Sequence, residues 1–171
     1  MLRYLYLIRH AESKEKQIGQ NDQERVLTPR GMREALLIGT YLLKEKATFD
    51  SIISSTAERA RATAGLLVDG MKLESEKITF SEELYEASTR TFFQFLSELN
   101  DDHRRILCIS HNPVISYIAE YLTKEVIGDM APGSLAIIRF NINSWKEVAA
   151  GNGELENYIY PEMLNNDWSL Y

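Results

Sequence analysis

Cysteine is almost absent: Cys108 is the only one in 171 residues, which excludes an internal disulfide framework and fits a reducing, cytoplasmic setting. Histidine is scarce too, with three in the chain. No two of them fall at the spacing by which one helix presents a pair of zinc ligands, so a zinc hydrolase is disfavoured and no metal or other cofactor is expected. A basic excess is also missing. With 19 lysines and arginines against 25 aspartates and glutamates, the formal charge is −6, which argues against nucleic acid or an anionic membrane as partner. Any anionic ligand must therefore be held by a few placed arginines. No apolar run approaches the roughly 20 residues of a membrane span, and the opening one is shorter than a signal-peptide core, so the protein is expected to be soluble and unprocessed. Repeats and low-complexity stretches are lacking as well. What remains is a chain with 44% hydrophobic residues, enough to close one sizeable core, and residues 1–171 read as one domain.

The elements alternate. Leu2 to Ile8 is apolar or aromatic without a helical period, as in a strand buried on both faces. Residues 12–24 carry charge, amide and glycine, the composition of a solvated loop that can border a site. Thr28-Pro29 supplies an N-cap and a first-turn proline, and Met32, Ala35, Leu36, Gly39, Leu42 and Leu43 share a face, which predicts a helix from about Pro29 to Lys46. A short strand over Asp50 to Ser54 then leads into a helix from about Thr56 to Gly70. Ser55 and Glu58 there have the spacing of a capping box. Ile78 to Phe80 reads as a short strand, and Phe92, Phe95, Leu96 and Leu99 as the buried face of a third helix. Ile106 to Ile109 is a strand, Asn112-Pro113 opens a helix, Leu135 to Phe140 is a further strand, and a weak edge strand follows. This order implies an α/β fold, a three-layer α/β/α sandwich on a mostly parallel sheet.

In such sheets ligands bind beyond the carboxyl ends of the strands. Arg9-His10 follow the first strand, Ser54-Ser55 and then Arg59 the second, and Ser110-His111-Asn112 the Ile106 strand. Singly, each has a plainer reading: a surface turn for Arg9-His10, a core histidine for His111, a helix-surface salt bridge to Glu58 or Glu12 for Arg59. Together they bring two histidines and two arginines to one edge. Two guanidinium groups can grip a dianionic phosphate in paired, charge-assisted hydrogen bonds. A neutral imidazole beside them can attack phosphorus, and a second can donate to the phosphoryl oxygens. These cations already neutralise the transferring group, so no metal is required. His103 precedes its strand and belongs to the opposite edge, in solvent. A cysteine-based phosphatase is rejected, because Cys108 lies inside a strand and its Cys-x5-Arg partner position is Val114.

The same residues resemble the histidine phosphatase, or phosphoglycerate mutase-like, superfamily, and within it the small SixA-like phosphohistidine phosphatases. The resemblance rests on Leu7-Ile-Arg-His-Ala-Glu-Ser13, Arg25-Val-Leu-Thr-Pro-Arg-Gly31, Ser55-Thr-Ala-Glu-Arg-Ala-Arg-Ala-Thr63 and Ile109-Ser-His-Asn-Pro113. Pro132 to Ala136, Trp145 and Gly151 to Leu155 extend it over nearly the whole chain. It implies the phosphoglycerate mutase-like fold, His10 as a nucleophile that becomes a phosphohistidine, Arg9 and Arg59 on the phosphate, and His111 completing the pocket. Arg25 matches an arginine that reaches the anion from the loop. Ala11 stands where the family signature has glycine. The general acid is left open between Glu86 in Leu84-Tyr-Glu86, Asp22, and none. The imidazole of a phosphohistidine, which can be protonated beforehand, leaves more readily than an alkoxide, so a phosphorylated protein is the expected substrate. A small phosphorylated metabolite is the alternative, and a phosphate-binding module without turnover the non-enzyme reading.

Overall fold

The computed structural model describes residues 1–165; the tail from residue 166 onward lies outside the described residues. Six strands form one sheet: β1 (Leu2–Arg9), β2 (Ser51–Ser55), β3 (Ile78–Ser81), β4 (Arg105–Ser110), β5 (Leu135–Asn141) and β6 (Gly153–Ile159). Their order is β3-β2-β4-β1-β5-β6. The first four run parallel, whereas β5 pairs antiparallel with β1, and β6 antiparallel with β5 at the sheet edge. The sheet is therefore mostly parallel, as the alternation of elements predicts. The reversed direction of β5 matters for function, because it brings the loop that precedes Leu135 to the carboxyl edge of β1.

Helices α1 (Pro29–Lys44) and α2 (Glu58–Gly70) cover one face, and α3 (Thr89–Ser97) and α4 (Val114–Thr123) the other. The short α5 (Pro161–Asn165) packs beside α1. Strand β1 serves both cores. Leu5 and Leu7 pack with Phe92, Leu96, Ile118 and Trp145, while Tyr6 and Ile8 pack with Ile38, Leu42, Ala64 and Leu67. That is why its sequence shows no polar alternation. No helix among the described residues is long and apolar enough to cross a membrane.

Two local expectations change. On α1, Ala35, Gly39 and Leu42 are buried, but Met32, Leu36 and Leu43 are exposed, and Gly31, Glu34 and Ile38 take the inner positions instead. The reason is a glycine contact: a Cβ on Gly39 would stand 2.4 Å from the Leu67 carbonyl oxygen, and one on Gly70 would meet the Leu36 carbonyl at 2.7 Å. This backbone approach of α1 to α2 sets which arc of the helix faces inward. The second change is at Ser55. Thr28 caps α1 by accepting the Gly31 N–H, as its position suggests, but α2 starts from Ala57 with no side-chain cap. The Ser55 hydroxyl pairs with His111 at 2.7 Å and accepts the Ala57 N–H, ahead of the helix, at 3.3 Å.

Candidate active site

Parallel pairing of β1 with β4 places Arg9 opposite Ser110. The next residues of the two strands, His10 and His111, therefore emerge side by side, with ring centroids 5.1 Å apart. The His10 backbone N–H donates to the Ser110 carbonyl at 3.0 Å, and the Gly133 N–H reaches the Arg9 and His10 carbonyls at 3.0 and 3.1 Å. The turn after β1 is thus fixed by β4 on one side and by the loop before β5 on the other.

His10 Nδ1 lies 2.8 Å from the Ala11 carbonyl, which can only accept, so Nδ1 carries the proton and Nε2 the lone pair. Arg59 Nε donates towards that lone pair at 3.3 Å. Burial, followed by the charges of Arg59, Arg9 and Arg25, pushes the His10 pKa down to about 4 against the opposing pull of the Ala11 carbonyl. His10 is a neutral imidazole at pH 7. His111 Nε2 is 2.7 Å from Ser55 Oγ, and burial, with His10 and Arg59 beside it, lowers its pKa to about 3.

The arginines are held by oxygen acceptors. Arg9 Nη1 donates to the Met130 carbonyl at 2.7 Å. Arg59 donates through Nη1 to the Asp22 carbonyl at 2.7 Å and through Nη2 to Asp22 Oδ2 at 3.0 Å. Arg25 donates to Asp22 Oδ1 at 3.3 Å, to Ser13 Oγ at 3.0 Å and to the Lys14 carbonyl at 2.9 Å. The Tyr85 hydroxyl donates to Asp22 Oδ2 at 2.7 Å. That hydrogen bond, and then those of Arg59, hold the Asp22 carboxyl well below the usual carboxylate range.

Arg9, His10, Arg25, Arg59 and His111 line one cavity of about 280 Å³, together with Glu12 and Asn112 among others. The structure thus brings together the two histidines and three arginines singled out from the sequence. Glu86 is not among them: it is exposed and lines a separate groove with Glu82, Glu83 and Glu98. Asp22 is adjacent but tied to two arginines and a tyrosine as an ionised acceptor. Glu12 faces the cavity and accepts from Thr28 Oγ1 at 2.8 Å. Tyr85, Ser55 and the Met130 carbonyl are additions. Tyr85 was visible in the sequence as the neighbour of Glu86, and Ser55 as a supposed cap, whereas a backbone acceptor such as Met130 leaves no residue-type signal. Among the described residues no group of three or more His, Cys, Asp or Glu side chains is placed to hold a metal ion. The buried Cys108 thiol is pushed up to about 12 by desolvation, which makes it a poor nucleophile.

A two-histidine, two-arginine edge on this α/β sandwich defines a class, and the family comparison agrees. The model of the histidine phosphatase superfamily, branch 1, matches residues 5–92, and the chain belongs to that superfamily. An uncharacterized protein of Mycobacterium tuberculosis is 30% identical over 164 residues, covering 90% of this chain and 99% of its own. Among solved structures, the protein histidine phosphatase SixA complexed with tungstate superposes with a TM-score of 0.80 at 22% identity, over 94% of this chain and 99% of that one. A mycobacterial glucosyl-3-phosphoglycerate phosphatase does so with a TM-score of 0.65 at 14% identity, over 91% and 98%. Both share the fold.

Burying two neutral histidines has a consequence for stability. Their folded pKa values, about 4 and about 3, lie below the ordinary 6.5, so between these limits the unfolded chain binds more protons. The stabilisation is complete above about pH 6.5 and is lost as the pH falls through the folded values. The melting temperature is expected to drop between pH 7 and pH 4, and to drop less in a His10→Gln/His111→Gln double variant. Equal slopes in a calorimetric pH series would show that the two histidines are not the cause.

Proposed function

We propose that this protein is a phosphatase that removes the phosphoryl group from phosphohistidine on another protein, with His10 as the transient acceptor. The observation that carries the reading is the state of His10: neutral, with Nδ1–H held by the Ala11 carbonyl and the Nε2 lone pair facing an arginine in a cavity. Nε2 attacks phosphorus and forms a P–N bond as the bond to the substrate imidazole breaks; the leaving nitrogen takes the bonding electron pair, and the proton on the ring's other nitrogen lets the imidazole depart neutral. Water then displaces His10 from phosphorus, releasing inorganic phosphate and restoring the imidazole. Arg9, Arg59 and Arg25 supply positive charge around the phosphoryl oxygens, and His111 a hydrogen-bond donor. The charge that a metal provides elsewhere is thus supplied by side chains, and activity is expected to survive chelation.

At about 280 Å³ the cavity is near the lower end of small-molecule pockets, roughly 300 Å³ and upward, and admits the end of a phosphorylated side chain. Of the acids named from the sequence, Asp22 is held ionised and Glu86 is off the cavity. That suits a leaving group able to carry its own proton. The likeness to SixA supports the same reading, and the likeness to a glucosyl-3-phosphoglycerate phosphatase favours the second one, a small-molecule phosphomonoesterase. We place the protein, working as a single domain, in the cytoplasm.

The test is a panel at neutral pH in chelator: a phosphohistidine-bearing protein, p-nitrophenyl phosphate and sugar phosphates. Phosphohistidine is expected to lead the alkyl phosphates by on the order of 10²-fold in kcat/KM, the usual worth of general-acid assistance. Glu86→Gln is expected to stay within about threefold of the unaltered protein, where loss of a true acid costs roughly 10²-fold or more. The reverse ranking, with a large Glu86→Gln defect on alkyl phosphates, makes the protein a phosphomonoesterase with Glu86 as its acid. Phosphate binding without turnover of any substrate makes it a binding module.

A further inference from the structure

Arg59 has two usable edges, and the structure has already assigned one of them. The outer fork, Nη1 and Nη2, is taken by a single residue: Nη1 by the Asp22 carbonyl at 2.7 Å and Nη2 by Asp22 Oδ2 at 3.0 Å. The inner edge is what remains, and its Nε–H points at His10 Nε2 from 3.3 Å. A guanidinium is planar, so fixing both Nη atoms also fixes the direction of Nε–H. Asp22 is itself held from two further sides. The Tyr85 hydroxyl donates to the same Oδ2 at 2.7 Å, and Arg25 to Oδ1 at 3.3 Å.

The backbone of Asp22 is built for this. It opens a short turn, Asp22–Glu24, whose N-cap Asn21 accepts the Gln23 N–H and whose Glu24 side chain returns to the Asn21 N–H. The Asp22 carbonyl therefore has a fixed direction before Arg59 meets it. The guanidinium has few other ways to lie, since the Arg59 side chain is 7% exposed.

We infer that Asp22, braced by Tyr85, is a positioning residue: it grips the outer fork of Arg59 so that the inner edge faces the position that phosphorus takes beside His10. The inference rests on the proposed phosphatase reading and assigns Asp22 a role other than proton donation. The low pKa of its carboxyl agrees with a permanent acceptor. Tyr85 also contacts His111, with ring centroids 5.6 Å apart, so one tyrosine braces both halves of the cavity.

The two roles for Asp22 separate in a leaving-group series. Asp22→Ala is expected to lower kcat/KM by on the order of 10-fold to 10²-fold, the cost of an ångström-scale misplacement, by the same factor for p-nitrophenyl phosphate, an alkyl phosphate and a phosphohistidine protein. Asp22→Asn keeps the backbone carbonyl and a side-chain acceptor and is expected to stay within about fivefold. Inorganic phosphate is expected to bind more weakly to Asp22→Ala than to the unaltered protein. A loss confined to alkyl phosphates, with Asp22→Asn as damaged as Asp22→Ala, would make Asp22 the general acid and overturn the inference. Tighter phosphate binding by Asp22→Ala would overturn it too, since Asp22 would then be a competitor for Arg59. An independent readout needs neither substrate nor turnover: the Arg59 Nε–H nitrogen resonance, protected from exchange in the resting protein and unprotected in Asp22→Ala. If that signal behaves so while no phosphate ester or phosphoramidate is hydrolysed, the positioning role stands and the phosphatase reading fails. An unprotected signal in the resting protein overturns the positioning role whatever the activity.

Discussion

Replacing His10 by alanine is expected to lower kcat by on the order of 10³-fold or more, because the atom that forms the covalent bond to phosphorus is removed. The size of the effect follows from what the protein invests in Nε2. The Ala11 carbonyl fixes the tautomer, burial and three arginines keep the ring uncharged at neutral pH, and Arg59 faces the lone pair. An attacking nitrogen needs its lone pair free of a proton, and a proton on Nε2 would block the reaction. Rapid quenching of turnover with labelled phosphoprotein is expected to trap acid-labile, alkali-stable phosphate on His10. Label on another residue, or a His10→Ala variant with near-normal kcat, would remove His10 as the nucleophile.

The second large effect is expected at Arg59. Arg59→Lys retains the charge but gives up the planar fork, which here spans Asp22 on one edge and His10 on the other. An ammonium at the end of a flexible stem cannot keep both contacts. kcat/KM is expected to fall by about 10²-fold to 10³-fold, the range seen when a preorganised donor to a developing anion is lost, with most of the loss in kcat. The melting temperature is expected to fall as well, because Asp22 and Tyr85 lose a partner. A variant that loses stability yet keeps kcat/KM within about threefold would make Arg59 a structural mate of Asp22 and no part of the phosphate clamp.

Much of this was legible in the sequence, for reasons that can be named. Strand β1 announced itself because both faces are buried, and the parallel α/β rule then pointed to whatever follows each strand, which is how His10, His111 and Arg59 stood out together. The misreadings came from residues with two uses. Ser55 has the spacing of a capping serine, but a buried hydroxyl next to a histidine finds a stronger partner than the open end of a helix. Met32, Leu36 and Leu43 share a face on a helical wheel, but Gly39 and Gly70 let two backbones touch, and that contact decided the inward arc. Glu86 drew attention through the family resemblance of Leu84-Tyr-Glu86, while its neighbour Tyr85 is the residue at the site. The antiparallel direction of β5 had no local signature, since strand polarity is set by distant partners.

The central place of β1 also bears on how the chain is made. Its side chains Leu5, Leu7 and Ile8 are fully buried, yet the two strands that flank it begin at Arg105 and Leu135. At a synthesis rate of roughly 5–20 residues per second, β1 waits about 5–25 s for its neighbours. During that time the newborn chain displays an apolar strand with both edges open, the kind of segment that pairs with the wrong chain. Slower translation or a stall before Leu135 lengthens that exposure, so the yield of folded protein in a cell is expected to depend on how quickly the second half of the chain follows the first.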